Sequence, residues 1–194
     1  MNINIRPLAH RDAQFLCSIF KGNTEYYNIF FDSEDRLVEW KKRVTRFIQQ
    51  RDIRHKIIEI NGVPVGWLSC FDTEEQILEI GILVIKPEYL GQGYGAKGLI
   101  WLIEQAKAHG KHSIILNVNK SNTRAIQFYQ RFGFEICGEE IVPQCNDAEN
   151  LPQYIMKLRL ERKDSTQTGA VFLYSLKSPW GFHNQRDGTG SFPS

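Results

Sequence analysis

The stretch Glu79-Ile-Gly-Ile-Leu-Val-Ile-Lys-Pro-Glu-Tyr-Leu-Gly-Gln-Gly-Tyr-Gly-Ala-Lys-Gly-Leu99 constrains the fold more than any other part of this chain. A strand-like apolar run enters a loop holding Gly91, Gly93 and Gly95, and an amphipathic helix starts at once. Glycines at such a junction let backbone approach a ligand closely. The unpaired N–H groups of the first helical turn, at the positive end of the helix dipole, favour phosphate there. The expectation is a phosphate-bearing ligand at residues 91–96.

Composition narrows the partners. The 194 residues suit one domain with a real core, and 42% hydrophobic with 24% charged residues is ordinary for a globular protein. A formal charge of +2 argues against a dedicated nucleic-acid surface. No apolar run has the length of a membrane span, and the first residues lack the layout of a signal peptide. Cys17, Cys70, Cys137 and Cys145 have no metal-type spacing and read as reduced thiols, while the five histidines form no ligand motif. No metal and a cytoplasmic location are therefore expected.

Along the chain, Ile3 and Ile5 alternate with polar residues in a short strand ending near Pro7. A helix is expected over His10–Phe20, then an aromatic loop at Tyr26, Tyr27, Phe30 and Phe31. A second helix, capped by Asp32 or Ser33, buries Leu37, Trp40, Val44 and Phe47. Strands follow at Lys56–Ile60 and Val63–Phe71, joined by an Asn61-Gly62 hairpin turn, and after a turn at Thr73–Glu75 another runs over Ile77–Ile85. A helix over Gly95–Ala108, a strand over Ser113–Val118 and a helix over Asn122–Arg131 come next, with closing strands at Phe134–Ile141 and Gln153–Leu160. This order predicts an α/β (α+β) domain over residues 1–160, a mixed, mostly antiparallel sheet of about seven strands with about four helices. Residues 161–194 carry eleven Gly, Pro and Ser and read as a flexible tail.

Competing phosphate-loop readings can be tested against the neighbouring residues. Gly93-Tyr-Gly95-Ala-Lys-Gly98 matches the dinucleotide pattern G-x-G-x-x-G, but the following strand ends in Asn119-Lys120 rather than an acid that could hold a ribose. The preceding strands are also hairpin-linked. A nucleotide P-loop needs glycine directly before its lysine, and Ala96 precedes Lys97. The loop alone also fits a plain tight connection.

Two motifs decide. Leu90-Gly91-Gln92-Gly93-Tyr94-Gly95 resembles motif A of the GNAT superfamily of N-acetyltransferases, Gln/Arg-x-x-Gly-x-Gly/Ala, with Leu90 in place of the usual Gln or Arg. Asn122-Thr-Arg-Ala125-Ile-Gln-Phe-Tyr129-Gln-Arg-Phe-Gly133-Phe134 is similar to motif B at every fixed position. The resemblance covers about residues 1–160. It implies acetyl-CoA as cosubstrate, with its pyrophosphate over the backbone N–H groups of Gly91, Gln92, Gly93, Tyr94, Gly95 and Ala96, and Leu90 beside it in the cofactor site without the usual side-chain contact. The pantetheine arm would run along Leu83, Val84 and Ile85, and the helix face of Asn122 and Ala125 would lie against the cofactor. Lys97, Lys120 and Arg124 are candidates for the 3′-phosphate, or simply solvated cations.

Amine acetylation poses two proton problems. A lysine-like amine is overwhelmingly protonated at pH 7, a penalty of roughly 4.6 kcal/mol if nothing assists, and the leaving thiolate benefits from a donor. The resemblance assigns Tyr129 as the acid; a core tyrosine is the alternative. Glu79 is the expected base, with a solvated surface carboxylate or a water chain as alternatives. The acceptor, a small-molecule amine or a protein amino group, would lie by the aromatic loop and residues 144–150, where Asp147 and Glu149 add negative charge. A homodimer and a catalytically silent CoA sensor also remain open.

Overall fold

The computed structural model describes residues 3–20, 36–50, 53–74, 76–142 and 151–160. The elements are β1 (Ile3–Pro7), α1 (Ala13–Phe20), α2 (Arg36–Gln49), β2 (Ile53–Ile60), β3 (Val63–Glu74) and β4 (Ile77–Ile85). They continue with α3 (Tyr94–Ala108), β5 (Ser113–Asn119), α4 (Thr123–Arg131), β6 (Glu135–Val142) and β7 (Leu151–Arg159). The strands form a seven-stranded sheet in the order β1-β2-β3-β4-β5-β7-β6. Only β4 and β5 pair in parallel, because helix α3 carries the chain back over the sheet between them.

Apolar periodicity puts a helical layer on each face. Leu99, Leu102 and Ala106 of α3 and Tyr129 of α4 pack on Leu68, Leu78, Ile80, Leu116 and Met156. On the other face Leu16 and Ile19 of α1 and Trp40, Val44 and Phe47 of α2 meet Ile57, Trp67, Ile82 and Val84. Beneath α1, the Arg6 guanidinium grips Asp12 through two 2.7 Å bonds and Glu59 at 2.6 Å, tying the 3-10 turn His10–Asp12 to β1 and β2.

Several boundaries differ from the sequence expectation for identifiable reasons. His10–Phe20 divides into the 3-10 turn and α1. β2 starts at Ile53 rather than Lys56, since Arg54 and His55 break the apolar pattern yet pair with Cys70 and Ser69. The Arg54–Asp72 ion pair at 2.9 Å braces that extension. β3 runs through the turn expected at Thr73, because Thr73 bulges out and lets Glu74 pair with Ile77. The Asn61-Gly62 turn has the two positive φ angles, 50° and 81°, that its residues predict. The aromatic loop, the cap at Asp32 or Ser33, residues 144–150 and the 161–194 tail lie outside the described residues.

Candidate active site

The site begins where the sheet divides. β4 pairs with β5 only from Ile77↔Ser113 to Ile80↔Leu116, while β5 continues to pair with β7 as far as Asn119. From Gly81 onward β4 has no partner on its β5 side among the described residues, leaving backbone N–H and C=O groups at an open edge. A bulge sits at the same point: Cys70 pairs with Ile80 and Ser69 with Ile82, so Gly81 is the extra residue. The bulge reverses which residues face which layer. Leu78 and Ile80 pack under α3, as do Leu83 and Ile85 further on, whereas Ile82 and Val84 turn to α1 and α2. Simple alternation therefore does not run through Gly81.

A cleft of about 830 Å³ opens from this split. Leu83, Val84 and Ile85 form one wall, the loop residues Leu90, Gly91, Gly93, Tyr94, Gly95 and Ala96 one end, and Asn122, Ala125 and Tyr129 the opposite wall. Of the twelve residues that the sequence assigned to the cofactor, Gln92 alone does not line it; its Nε2 instead donates to the Glu88 carbonyl at 3.1 Å. Tyr89, Phe128, Arg131 and Phe132 also line the cleft and went unassigned. Phe128 and Phe132 lie three and seven residues beyond Ala125, so the helical stripe already carried that signal.

The loop is shaped by its glycines. Gly91 and Gly93 have φ of 78° and 82°, and a Cβ at either would meet nothing within 4 Å. Their conformation, not crowding by protein, requires glycine, and the space beside them is open. Gly93 is the N-cap of α3 and offers no side chain to its amides. Lys97 N–H bonds to the Gly93 carbonyl at 3.1 Å, so the amides ahead of it point out of the helix toward the cleft end. Such an end attracts an anion. The surroundings fit a diphosphate ester: open space, outward amides, and Arg124 and Arg131 on the rim.

The remaining cations divide. Lys120 is ion-paired with Glu139 and lies 4.8 Å from the Tyr154 ring centroid, and Lys97 is exposed 6.0 Å from the Tyr94 ring. Neither lines the cleft, whereas Arg124 does.

Asn122 stands just before α4 rather than within it. Its Oδ1 accepts from Ala125 N–H at 3.0 Å, closing the helix start. Tyr129 is buried, with ring centroids 5.2 Å from Phe128 and 5.4 Å from Phe134, and it still borders the cleft.

Glu79 is not in that cleft. It lies two residues before the bulge, in register with Phe71 on β3 and Ile115 on β5, on the sheet face opposite α3. It is only 6% exposed, so it is no solvated surface carboxylate. Burial, reinforced by the Glu140 charge, pushes its pKa up to about 7. Tyr129 and Glu79 thus approach the split from its two faces. Among the described residues no group of three or more His, Cys, Asp or Glu could hold a metal ion, and no helix is long and apolar enough to cross a membrane.

Comparison with known proteins agrees with this geometry. Residues 17–134 match the acetyltransferase (GNAT) family, and the chain belongs to that family. It is an enzyme of the class that moves an acetyl group from acetyl-CoA to an amine. An uncharacterized N-acetyltransferase of Methanocaldococcus jannaschii is 31% identical over 123 residues, which are 60% of this chain and about half (51%) of that protein's length. The peptidyl-lysine N-acetyltransferase YjaB of Salmonella typhimurium is 28% identical over 142 residues, 73% of this chain and 90% of that one. The spermidine N-acetyltransferase of Vibrio cholerae, solved with CoA and spermine, shares the fold at a TM-score of 0.68 and 17% identity, covering 81% of this chain and 95% of its own.

Proposed function

We propose that the cleft holds acetyl-CoA with its pyrophosphate on the amides of residues 91–96 and its pantetheine arm along the open edge of Leu83, Val84 and Ile85, and that an amine reaches the thioester from the Glu79 side. The observation that carries this reading is the coincidence of two features in one cleft. An unpaired strand edge leads directly to an uncapped helix start flanked by positive-φ glycines. The first offers an amide-bearing arm hydrogen bonds along its length, and the second offers phosphate a set of donors. Arg124 and Arg131 supply charge for the outer phosphate.

Two side chains handle the protons. The acceptor arrives as an ammonium ion; ionised Glu79, directly or through water, takes one proton and leaves a nucleophilic nitrogen. The nitrogen forms the C–N bond to the acetyl carbon as the C–S bond breaks, and the Tyr129 hydroxyl gives its proton to the sulfur. The nitrogen loses two protons: one reaches solvent through Glu79 and the other balances the proton taken from Tyr129. The sum is amide, CoA thiol and one released proton. Amine acceptors fit the names of the relatives, a peptidyl-lysine acetyltransferase among them.

Thermal stabilisation by CoA tests the binding half. Wild-type protein should gain several degrees with saturating CoA, and Gly93→Val should lose that gain while still folding. Equal stabilisation of both proteins would remove the glycine loop from the cofactor site.

A further inference from the structure

Three acceptor groups gather on the face of the sheet opposite α3, close to the split. Glu79 is one, and no described group donates a hydrogen bond to its buried carboxylate. Asn117 of β5 lies two residues past Ile115, the in-register neighbour of Glu79, and so points to the same face. It reaches across β7 to donate from Nδ2 to Glu140 Oε1 of β6 at 2.5 Å, fixing that carboxylate over the sheet. Its own Oδ1 is buried without a partner. No described cation forms an ion pair with Glu79 or Glu140.

We propose that Glu79 and Glu140 form a two-carboxylate clamp for the acceptor's ammonium group, with Asn117 Oδ1 as a third acceptor, selecting aliphatic amines that carry no carboxylate beside the nitrogen. The inference rests on the acetyltransferase reading and names the substrate class of that site. An ammonium group has three N–H donors and no acceptor, which complements two carboxylates and an amide oxygen. Buried acceptors left without donors are costly, and an ammonium group would supply the donors that Glu79 and Asn117 Oδ1 lack. An α-amino acid would bring a third carboxylate against the pair and be repelled.

Among the described residues, the other titratable groups on that face include His55 of β2, in register with Ser69. Lys157 of β7 lies level with Ile115 and faces Glu135 in register, and Gln153 lies opposite Glu140. Phe71 and Ile115 flank Glu79, and the buried Ser69 Oγ has no partner. Burial raises the Glu140 pKa, opposed by the Asn117 bond, and the Glu140 charge adds to the burial that raises Glu79. The two carboxylates therefore sense each other.

The test compares leucine with leucinamide, which differ in that one carboxylate, and 1,5-diaminopentane, all with wild-type protein. Leucinamide and the diamine should exceed leucine in kcat/KM by at least about tenfold. Glu140→Gln should raise the amine KM about tenfold, leave the acetyl-CoA KM unchanged and move the pH–rate midpoint downward, because a like charge near Glu79 is gone. Glu139→Gln is the control: Glu139 is paired with Lys120 and should change none of these. Leucine matching leucinamide, or Glu140→Gln with unaltered amine KM and midpoint, overturns the clamp while the transferase reading stands. No turnover of any amine overturns both.

Discussion

The two sides of the split between β4 and β5 are built in different ways. The cofactor side is made largely from contiguous chain: Leu83 to Ala96 supply the open strand edge, the glycine turn and the outward amides, and only the α4 wall comes from elsewhere. The opposite side is made from single residues of β4, β5 and β6, with Glu79 and Glu140 far apart in sequence. On the proposed reading, backbone binds the cosubstrate on one side and side-chain charge holds the amine on the other. Mutations should therefore separate them: changes in the loop move cosubstrate binding, and changes on the acidic face move the pH profile and the amine.

Tyr129 borders the cofactor cleft, and its loss should have the largest effect. Tyr129→Phe keeps the packing against Phe128 and Phe134 but removes the donor, so kcat should fall by about a hundredfold or more with little change in acetyl-CoA KM. Stopped-assay kinetics over a range of acetyl-CoA would check this split. An equal rise in KM would mark Tyr129 as a binding residue.

Glu79→Gln comes next. With the pKa of Glu79 near 7, wild-type rate should climb as pH rises through about 7, and the variant should be slower by roughly tenfold or more with that inflection gone. Stability should move the other way. A carboxyl whose folded pKa is raised from 4.5 to about 7 stabilises the fold when protonated; that benefit is present below about pH 4.5 and is lost as pH rises through about 7. Glu79→Gln should thus melt a few degrees higher than wild type at pH 8, roughly 2–4 °C, and the difference should vanish near pH 4. A variant that is less stable at pH 8 would place an unrecognised cation beside Glu79.

Smaller effects belong to the loop. Gly93→Ala forces a side chain into φ 82°, costing about 1–2 kcal/mol at a point where nothing else crowds it. The acetyl-CoA KM should rise about tenfold while the amine KM holds. Leu90 is exposed at the cleft end, where the family pattern has Gln or Arg. Leu90→Arg should tighten acetyl-CoA a few-fold, with greater salt dependence, by adding charge beside the phosphates. Isothermal titration at two salt concentrations would register it.

The same contrast explains what could be read in advance. Sheet strands, helices and the loop were legible because each is a local pattern: alternation in β1, the Asn61-Gly62 turn, the i, i+3, i+7 stripe of α4. The motif residues of the cleft came with them, all contiguous or on one helix face. Gln92 was assigned with them, yet its side chain folds back on Glu88 and does not line the cleft, which spacing cannot reveal. Asn122 read as a cofactor-facing polar group, yet its oxygen also caps α4. The bulge at Gly81 was invisible, since it depends on how β3 lies beside β4. The Asn117–Glu140 bond was equally hidden, because it spans β7 and needs the β5-β7-β6 order to exist.

The central claim is that the split sheet positions acetyl-CoA for attack by an amine deprotonated at Glu79. Release of CoA thiol from acetyl-CoA, followed with 1,5-diaminopentane from pH 6 to pH 9, tests it most directly. Amine-dependent thiol release that rises through about pH 7 in wild type, and loses that rise in Glu79→Gln, is the predicted result. Thiol release that does not depend on the amine, or a wild-type profile that Glu79→Gln leaves intact, would contradict the account.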